Sequence, residues 1–428
     1  MRLVIGMRKT FLGAVEVSER LLNDVIFMCE SRVKPTYFTR KGNKLDFKST
    51  ILFSLYFVKK TIQLELDSFF KMVNPTGVSI TKQGYSEARR KVSPTAFRKL
   101  SHAVVQWFYD DDSFKTFHGY RLCAIDGSIV ELPNTEGLRN HFGYVQNQMS
   151  PTNARARVAA IYDIENDIIL TSRIAPYKSS ERDAAKEMIK ELKELGFKND
   201  LLLFDRGYPS RDFIAYVEEY GIKYLMRASI GAMKEIREAV EPDQIIHFTV
   251  NGKELSARVL RVLLPSNEEE ILVTNVMEKH LGVLEFKDLY FKRWGIEVKY
   301  DELKNKLQME NFTGSSQVVI EQDFYASIYL INMVALVKNE ANKVINEKDK
   351  KKNLKHHYQI NTNILIGKLK ESMIILLLEE RAAVRQKIFN KVMKEIIKNK
   401  TPIRPGRKYP RNKNLKSNKF VPSRKRCL

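Results

Sequence analysis

What this chain has little of narrows its class at once. Three cysteines (Cys29, Cys123 and Cys427) and seven scattered histidines in 428 residues give neither a disulfide framework nor the paired spacing of a zinc site. The longest apolar runs, Ala326–Val337 (broken by Asn332) and Met373–Leu378, are too short to span a bilayer. The first ten residues, MRLVIGMRKT, lack the apolar length of a secretory leader. A disulfide framework, a zinc site and a membrane span are therefore not expected, and a cytoplasmic protein is.

What is present is a globular chain with an uneven charge. Hydrophobic residues make up 43% and aromatics 10%, as in a soluble protein, and the length suits two or three domains. The net charge is +22, and Arg385–Arg426 holds 16 Lys and Arg against one acid, Glu395, so +15 of it lies in the last tenth of the chain. Four prolines (402, 405, 410 and 422) break that stretch. It reads as a basic arm for a polyanion such as DNA, near the nucleoid, where each neutralised phosphate releases counterions. A solvated tail is the plainer alternative. Membrane binding is disfavoured because the arm has no amphipathic apolar face.

The pattern along the chain predicts four regions. Residues 1–118 read as helical, and within them Ser79–Leu100 predicts two short helices joined at Ser93-Pro94, with Arg89, Arg90 and Lys91 clustered. A DNA-binding helix-turn-helix and a plain helical bundle both fit that pattern. Residues 119–345 read as an α/β domain, 346–400 as a further helical region and 401–428 as the flexible basic tail. Within the α/β domain, strands are predicted at Tyr120–Val130, Arg157–Asp163, Ile168–Ala175, Leu201–Phe204 and Lys223–Arg227, with helices at Ser180–Leu195 and 211–220. That β-β-β-α-β-α-β order is the order of the ribonuclease H fold, in which the first and fourth strands are neighbours. It would bring Asp126 on the first strand next to Asp205 at the end of the fourth. Residues 228–284 read as a β-rich insertion with an Asn251-Gly252 hairpin turn.

The most informative stretch is YFKRWGIEVKYDELK, residues 290–304. On a regular helix Tyr290, Arg293, Glu297 and Lys304 fall within an arc of about 60°. Leu289, Ile296, Tyr300, Leu303 and Leu307 form an apolar stripe beside it. The row of acid, cations and phenol suits an anionic ligand or a metal, although salt bridges along a half-buried helix give the same spacing.

Two aspartates and a glutamate gathered from distant segments are hard oxygen ligands, suited to two Mg²⁺ or Mn²⁺ ions acting on a phosphodiester. Arg293 and Lys304 are placed to hold phosphate oxygens, and Tyr290 to donate to one. Trp294 can stack on an unpaired base or pack in a core. Singly, Asp126 before Gly127 also reads as a turn former, and Asp205 as a helix cap.

These residues resemble the bacterial insertion-sequence transposases of the DDE class, in particular the IS-four group. Its Tyr-x2-Arg-x3-Glu-x6-Lys signature is complete here as Tyr290, Arg293, Glu297 and Lys304. The contexts Ala124-Ile125-Asp126-Gly127-Ser128 and Phe204-Asp205-Arg206-Gly207-Tyr208 are similar to the group's two aspartate motifs, and Arg404–Arg411 to its basic C-termini. The resemblance covers about residues 75–345. It implies a ribonuclease H-like catalytic domain with a β-rich insertion and helical flanks, in an enzyme that cuts and joins DNA. Asp126, Asp205 and Glu297 would be its catalytic metal ligands for Mg²⁺ or Mn²⁺. Tyr290, Arg293, Lys304 and Trp294 would contact DNA, the last at a flipped base. The implied partners are the terminal inverted repeats, target DNA and a second copy of the chain in a synaptic complex. A stand-alone nuclease or resolvase of the same fold, and an inactive DNA-binding regulator, are the competing readings.

Overall fold

Side-chain caps open most helices of the first 110 residues. Thr10, Asp24, Asp46 and Thr81 each accept a hydrogen bond from a backbone N–H two or three residues on, which satisfies donors the helix leaves free. The helices are α1 (Phe11–Leu22), α2 (Val25–Ser31), α3 (Phe47–Ser54), α4 (Ile62–Val73), α5 (Lys82–Arg89) and α6 (Thr95–Phe108). The chain then alternates strands and helices as β1 (Arg121–Glu131), α7 (Glu136–Phe142), β2 (Tyr144–Asn147), β3 (Ser150–Asp163), β4 (Ile168–Pro176), α8 (Glu181–Glu194), β5 (Asp200–Phe204), α9 (Arg211–Glu219) and β6 (Lys223–Ala228). Next come α10 (Lys234–Glu238), β7 (Asp243–Val250), β8 (Lys253–Leu263) and β9 (Glu269–Thr274). The last part holds α11 (Val283–Phe291), α12 (Gly295–Asp301), α13 (Gln317–Asp349), β10 (Tyr358–Ile360), α14 (Thr362–Leu378), α15 (Ala382–Lys398) and β11 (Lys400–Pro402). This computed structural model describes residues 10–404, apart from 41–43, 57–60, 74–78, 112, 148–149, 265–266, 279 and 351–353. Most of the basic tail expected at 401–428 therefore lies outside the described residues.

The chain forms two compact units. One takes the residues up to Asp110, Glu131–Arg155 and those from Glu302 onward. It is mainly helical, and α13 is its spine, with buried positions from Val319 to Ile345. Buried ion pairs tie its helices together. Arg89 on α5 reaches Asp323 on α13 at 2.6 Å and also bonds Gln322, and Lys370 on α14 pairs with Glu65 on α4 at 2.8 Å. The expected Arg89, Arg90 and Lys91 cluster is thus divided. Arg89 is a buried strut, whereas Arg90 is exposed.

The other unit, Asp111–Val130 with Ala156–Asp301, is α/β. Its strands run in the order β3-β1-β5-β6-β9-β8-β7, with β4 pairing on β3. β1, β5 and β6 are parallel to one another, and β3 with β4 and the β7–β9 set pair antiparallel. Ser180 caps α8 by accepting from the Asp183 N–H, where the cap was read in the sequence. Asn251 and Gly252 both take positive φ, 49° and 78°, as the tight turn between β7 and β8 requires. The insertion adds its strands to the sheet through β9 on β6. Leu122, Leu201, Leu203, Leu225 and Leu272 form a core on which Phe286, Leu289 and Tyr290 of α11 pack. No helix among the described residues is long and apolar enough to cross a membrane.

Candidate active site

Strand register brings the two aspartates towards one another. β1 pairs β5 in parallel with Ala124 opposite Leu203, and Asp126 and Asp205 each stand two residues beyond that last paired rung. Burial changes along β1 from buried at Arg121–Ile125 to partial at Asp126–Ser128, so the strand leaves the core at its acid. One Asp126 carboxylate oxygen accepts from the Gly127 N–H at 2.8 Å, and Asp205 accepts from the Arg206 N–H at 2.8 Å. Burial pushes the Asp126 carboxyl up to about 6; the Gly127 N–H and Arg293 oppose that shift, and Glu181 and Asp205 add to it.

Arg293 and Tyr290 join the acids. The Arg293 guanidinium is almost wholly buried and contacts Asp126 Oδ2 through Nη1 at 3.4 Å and Glu297 Oε1 through Nη2 at 3.2 Å. The Tyr290 hydroxyl donates to Asp205 Oδ1 at 3.3 Å, and burial holds that phenol well above its ordinary range. The Tyr300 hydroxyl donates to the Asp126 carbonyl at 2.9 Å, fixing α12 against the middle of β1. Trp294 is 45% exposed, and its ring lies 5.1 Å from the Arg293 guanidinium carbon. Of the two readings of Trp294, core packing is the one set aside.

Six of the seven sequence-derived residues thus lie in this unit: Asp126, Asp205, Glu297, Tyr290, Arg293 and Trp294. Lys304 falls in the other unit. A uniform helix over 290–304 put it on their face, but the winding changes twice. Lys292–Trp294 is a tight 3-10 turn, and Glu302–Lys306 is a wide π turn that belongs to the other unit. Three-residue and five-residue turns rotate side chains by different steps, so the ideal helical wheel fails past Asp301.

Sequence reasoning missed Glu181 and Arg157. A Cβ built on Gly127 would meet Glu181 Oε1 at 3.3 Å, so this carboxylate lies close against the backbone next to Asp126. Arg157 on β3 forms an ion pair with the same Glu181 oxygen. The Ser180 cap marks where α8 begins, but nothing in the linear pattern says that its first turn faces Asp126.

Among the described residues, no group of three or more His, Cys, Asp or Glu side chains lies close enough to hold a metal ion as it stands. The Arg293 guanidinium stands between Asp126 and Glu297. The donor set itself is three carboxylates with no thiol or imidazole, and it fits a hard, oxygen-seeking divalent cation.

Comparison with known proteins bears on the same segment. A sequence model of the family described as "Transposase DDE domain" matches residues 117–333. The chain is 22% identical over 264 residues to "Transposase InsG for insertion sequence element IS4" of Escherichia coli (strain K12). That match spans 58% of this chain and 59% of the relative's own length. A cryo-EM structure of the piggyBac transposase synaptic complex with hairpin DNA resembles 95% of the chain, and 88% of that structure's chain, with 10% identity and a TM-score of 0.46.

Proposed function

The chain belongs to the DDE transposase family, and on that premise we propose that it moves an insertion sequence by cutting and rejoining DNA at terminal inverted repeats. The observation that carries the reading is the single guanidinium of Arg293 bridging Asp126 and Glu297, with Tyr290 on Asp205. Three signature residues from one helical segment thereby meet an acid within β1 and another just past the end of the neighbouring parallel strand β5. The strand order around β1 and β5 supports a ribonuclease H-like catalytic unit.

In this reading Asp126, Asp205 and Glu297 hold two Mg²⁺ or Mn²⁺ ions, which when bound activate a water or 3′-hydroxyl and stabilise the leaving oxygen. Tyr290 orients Asp205 through its hydroxyl, and Tyr300 fixes the backbone of Asp126. Arg293 balances the negative charge of Asp126 and Glu297, and it turns a donor to the scissile phosphate once the acids have other counter-charges. Lys304 supplies a further phosphate contact as a point charge. Trp294, exposed at the edge of the acids, stacks on a base left unpaired at the cut end.

The substrate is double-stranded DNA, both the element's ends and the target, in the cytoplasm at the nucleoid. Two inverted ends are related by a two-fold axis, and a homodimer matches that symmetry. The test is binding and Mg²⁺-dependent cleavage of DNA carrying the inverted repeats that flank the gene. Sequence-selective binding with cleavage at the repeat boundary supports the reading. Cleavage of any DNA without regard to the repeats would favour a general nuclease of the same fold.

A further inference from the structure

β1 and β5 begin with a buried ion pair that has no part in the chemistry. Arg121 and Asp200 are Cα partners in the parallel ladder. Arg121 donates to Asp200 Oδ1 through Nε at 2.7 Å and Nη2 at 2.5 Å, and the two side chains are 2% and 0% exposed. The other Asp200 oxygen, Oδ2, is buried with no hydrogen-bond partner, and desolvation pushes the Asp200 carboxyl up. A pair that leaves a carboxylate oxygen unsatisfied in the core is a poor source of stability, because desolving two charges costs about what their attraction returns.

The strands it joins explain what the pair is for. β5 reads Asp-Leu-Leu-Leu-Phe and β1 opens Arg-Leu-Cys-Ala-Ile, and both are buried on both faces over these residues. Strands of this kind lack the apolar–polar alternation that normally fixes register. Leu201, Leu202 and Leu203 are close to interchangeable as partners for Leu122, Cys123 and Ala124. A slip of two residues would keep every side chain on its face and carry Asp205 about 7 Å along the strand relative to Asp126. Within the paired rungs of the two strands, the feature that distinguishes the observed register is the charge pair at the first.

We propose that Arg121 and Asp200 are positioning residues that key the β1–β5 register and so set where Asp126 and Asp205 stand relative to one another. The inference rests on the reading of those aspartates as one metal site, but its first readout does not. Full-length protein carrying Arg121→Met with Asp200→Leu is compared with wild type by thermal unfolding, by hydrogen–deuterium exchange of peptides covering 122–128 and 201–206, and by Mn²⁺ titration calorimetry. The double variant should melt at or above the wild-type temperature, exchange at least tenfold faster in both peptides and bind Mn²⁺ at least tenfold more weakly. Arg121→Lys, which keeps the pair, should restore both. Unchanged exchange would overturn the proposal, and so would unchanged Mn²⁺ affinity where the wild-type affinity depends on Asp126. Wild-type Mn²⁺ binding no tighter than that of Asp126→Asn would instead refute the metal-site reading, and exchange would still decide the register.

Discussion

At the scale of single residues, Arg293 is the hinge of the account. It was legible in the sequence as a cation on the face of Glu297, three residues after Tyr290. Its reach to Asp126 was not, because that contact joins positions 167 residues apart. Replacing it with Met leaves two partly buried carboxylates without their counter-charge. Arg293→Met should therefore lower the melting temperature in metal-free buffer, and Mn²⁺ should raise it by more than it does in wild type, since binding to the folded state adds stability by mass action. Differential scanning fluorimetry with and without Mn²⁺ reads both effects. An equal Mn²⁺ response in the two proteins would mean that Arg293 does not oppose the cation. Asp126 before Gly127 shows the reverse case, readable in the sequence as a turn former yet lying within β1, with Gly127 against Glu181, and no spacing rule announces that neighbour.

Among elements, those with strong local signals were readable. The Ser180 cap, the Asn251-Gly252 turn and the buried leucines of β5 each state their structure in a few residues. The elements that escaped are short or depend on partners. α7 has seven residues, α10 five, and β10 and β11 three each, too few for a period to repeat. The 3-10 and π turns around α12 escaped because their residues keep an apolar spacing close to that of a regular helix. α5 was found, but the role of its arginine was not. Arg89 on it is a strut to α13, so Arg89→Met leaves Asp323 with its Thr313 donors but no counter-charge and should cost about 3–5 kcal/mol, the loss typical of breaking a buried pair from one side. Arg90→Ala, at an exposed neighbour, should cost less than about 0.5 kcal/mol. Urea unfolding of the two variants checks the contrast, and equal losses would contradict it.

For the whole molecule, charge separates the roles. Residues 405–428 carry nine Lys and Arg and no acid. Removing them should weaken binding to every DNA sequence alike and flatten the salt dependence of binding, by up to about 8 in the log–log slope if each cation meets a phosphate. Fluorescence anisotropy on repeat and scrambled DNA over a salt series measures this, and a loss confined to the repeat sequence would assign the tail a reading role instead. The α/β class and the family were legible because a few motifs carry them. The division into two units was not, since Glu131–Arg155 leaves the α/β sequence and joins a unit built largely from the two ends of the chain.

The central claim is that Asp126, Asp205 and Glu297 work as one metal-dependent site, and single-turnover strand cleavage tests it most directly. Repeat-end DNA is mixed with wild-type protein, Asp126→Asn, Asp205→Asn or Glu297→Gln, with and without Mg²⁺, while end binding is followed in parallel. Each variant should bind the DNA within about threefold of wild type, and each should lose cleavage by about a hundred- to a thousandfold, the scale of removing a transition-state charge stabiliser. Cleavage by any one variant at the wild-type rate, or wild-type cleavage that persists in EDTA, would contradict the claim.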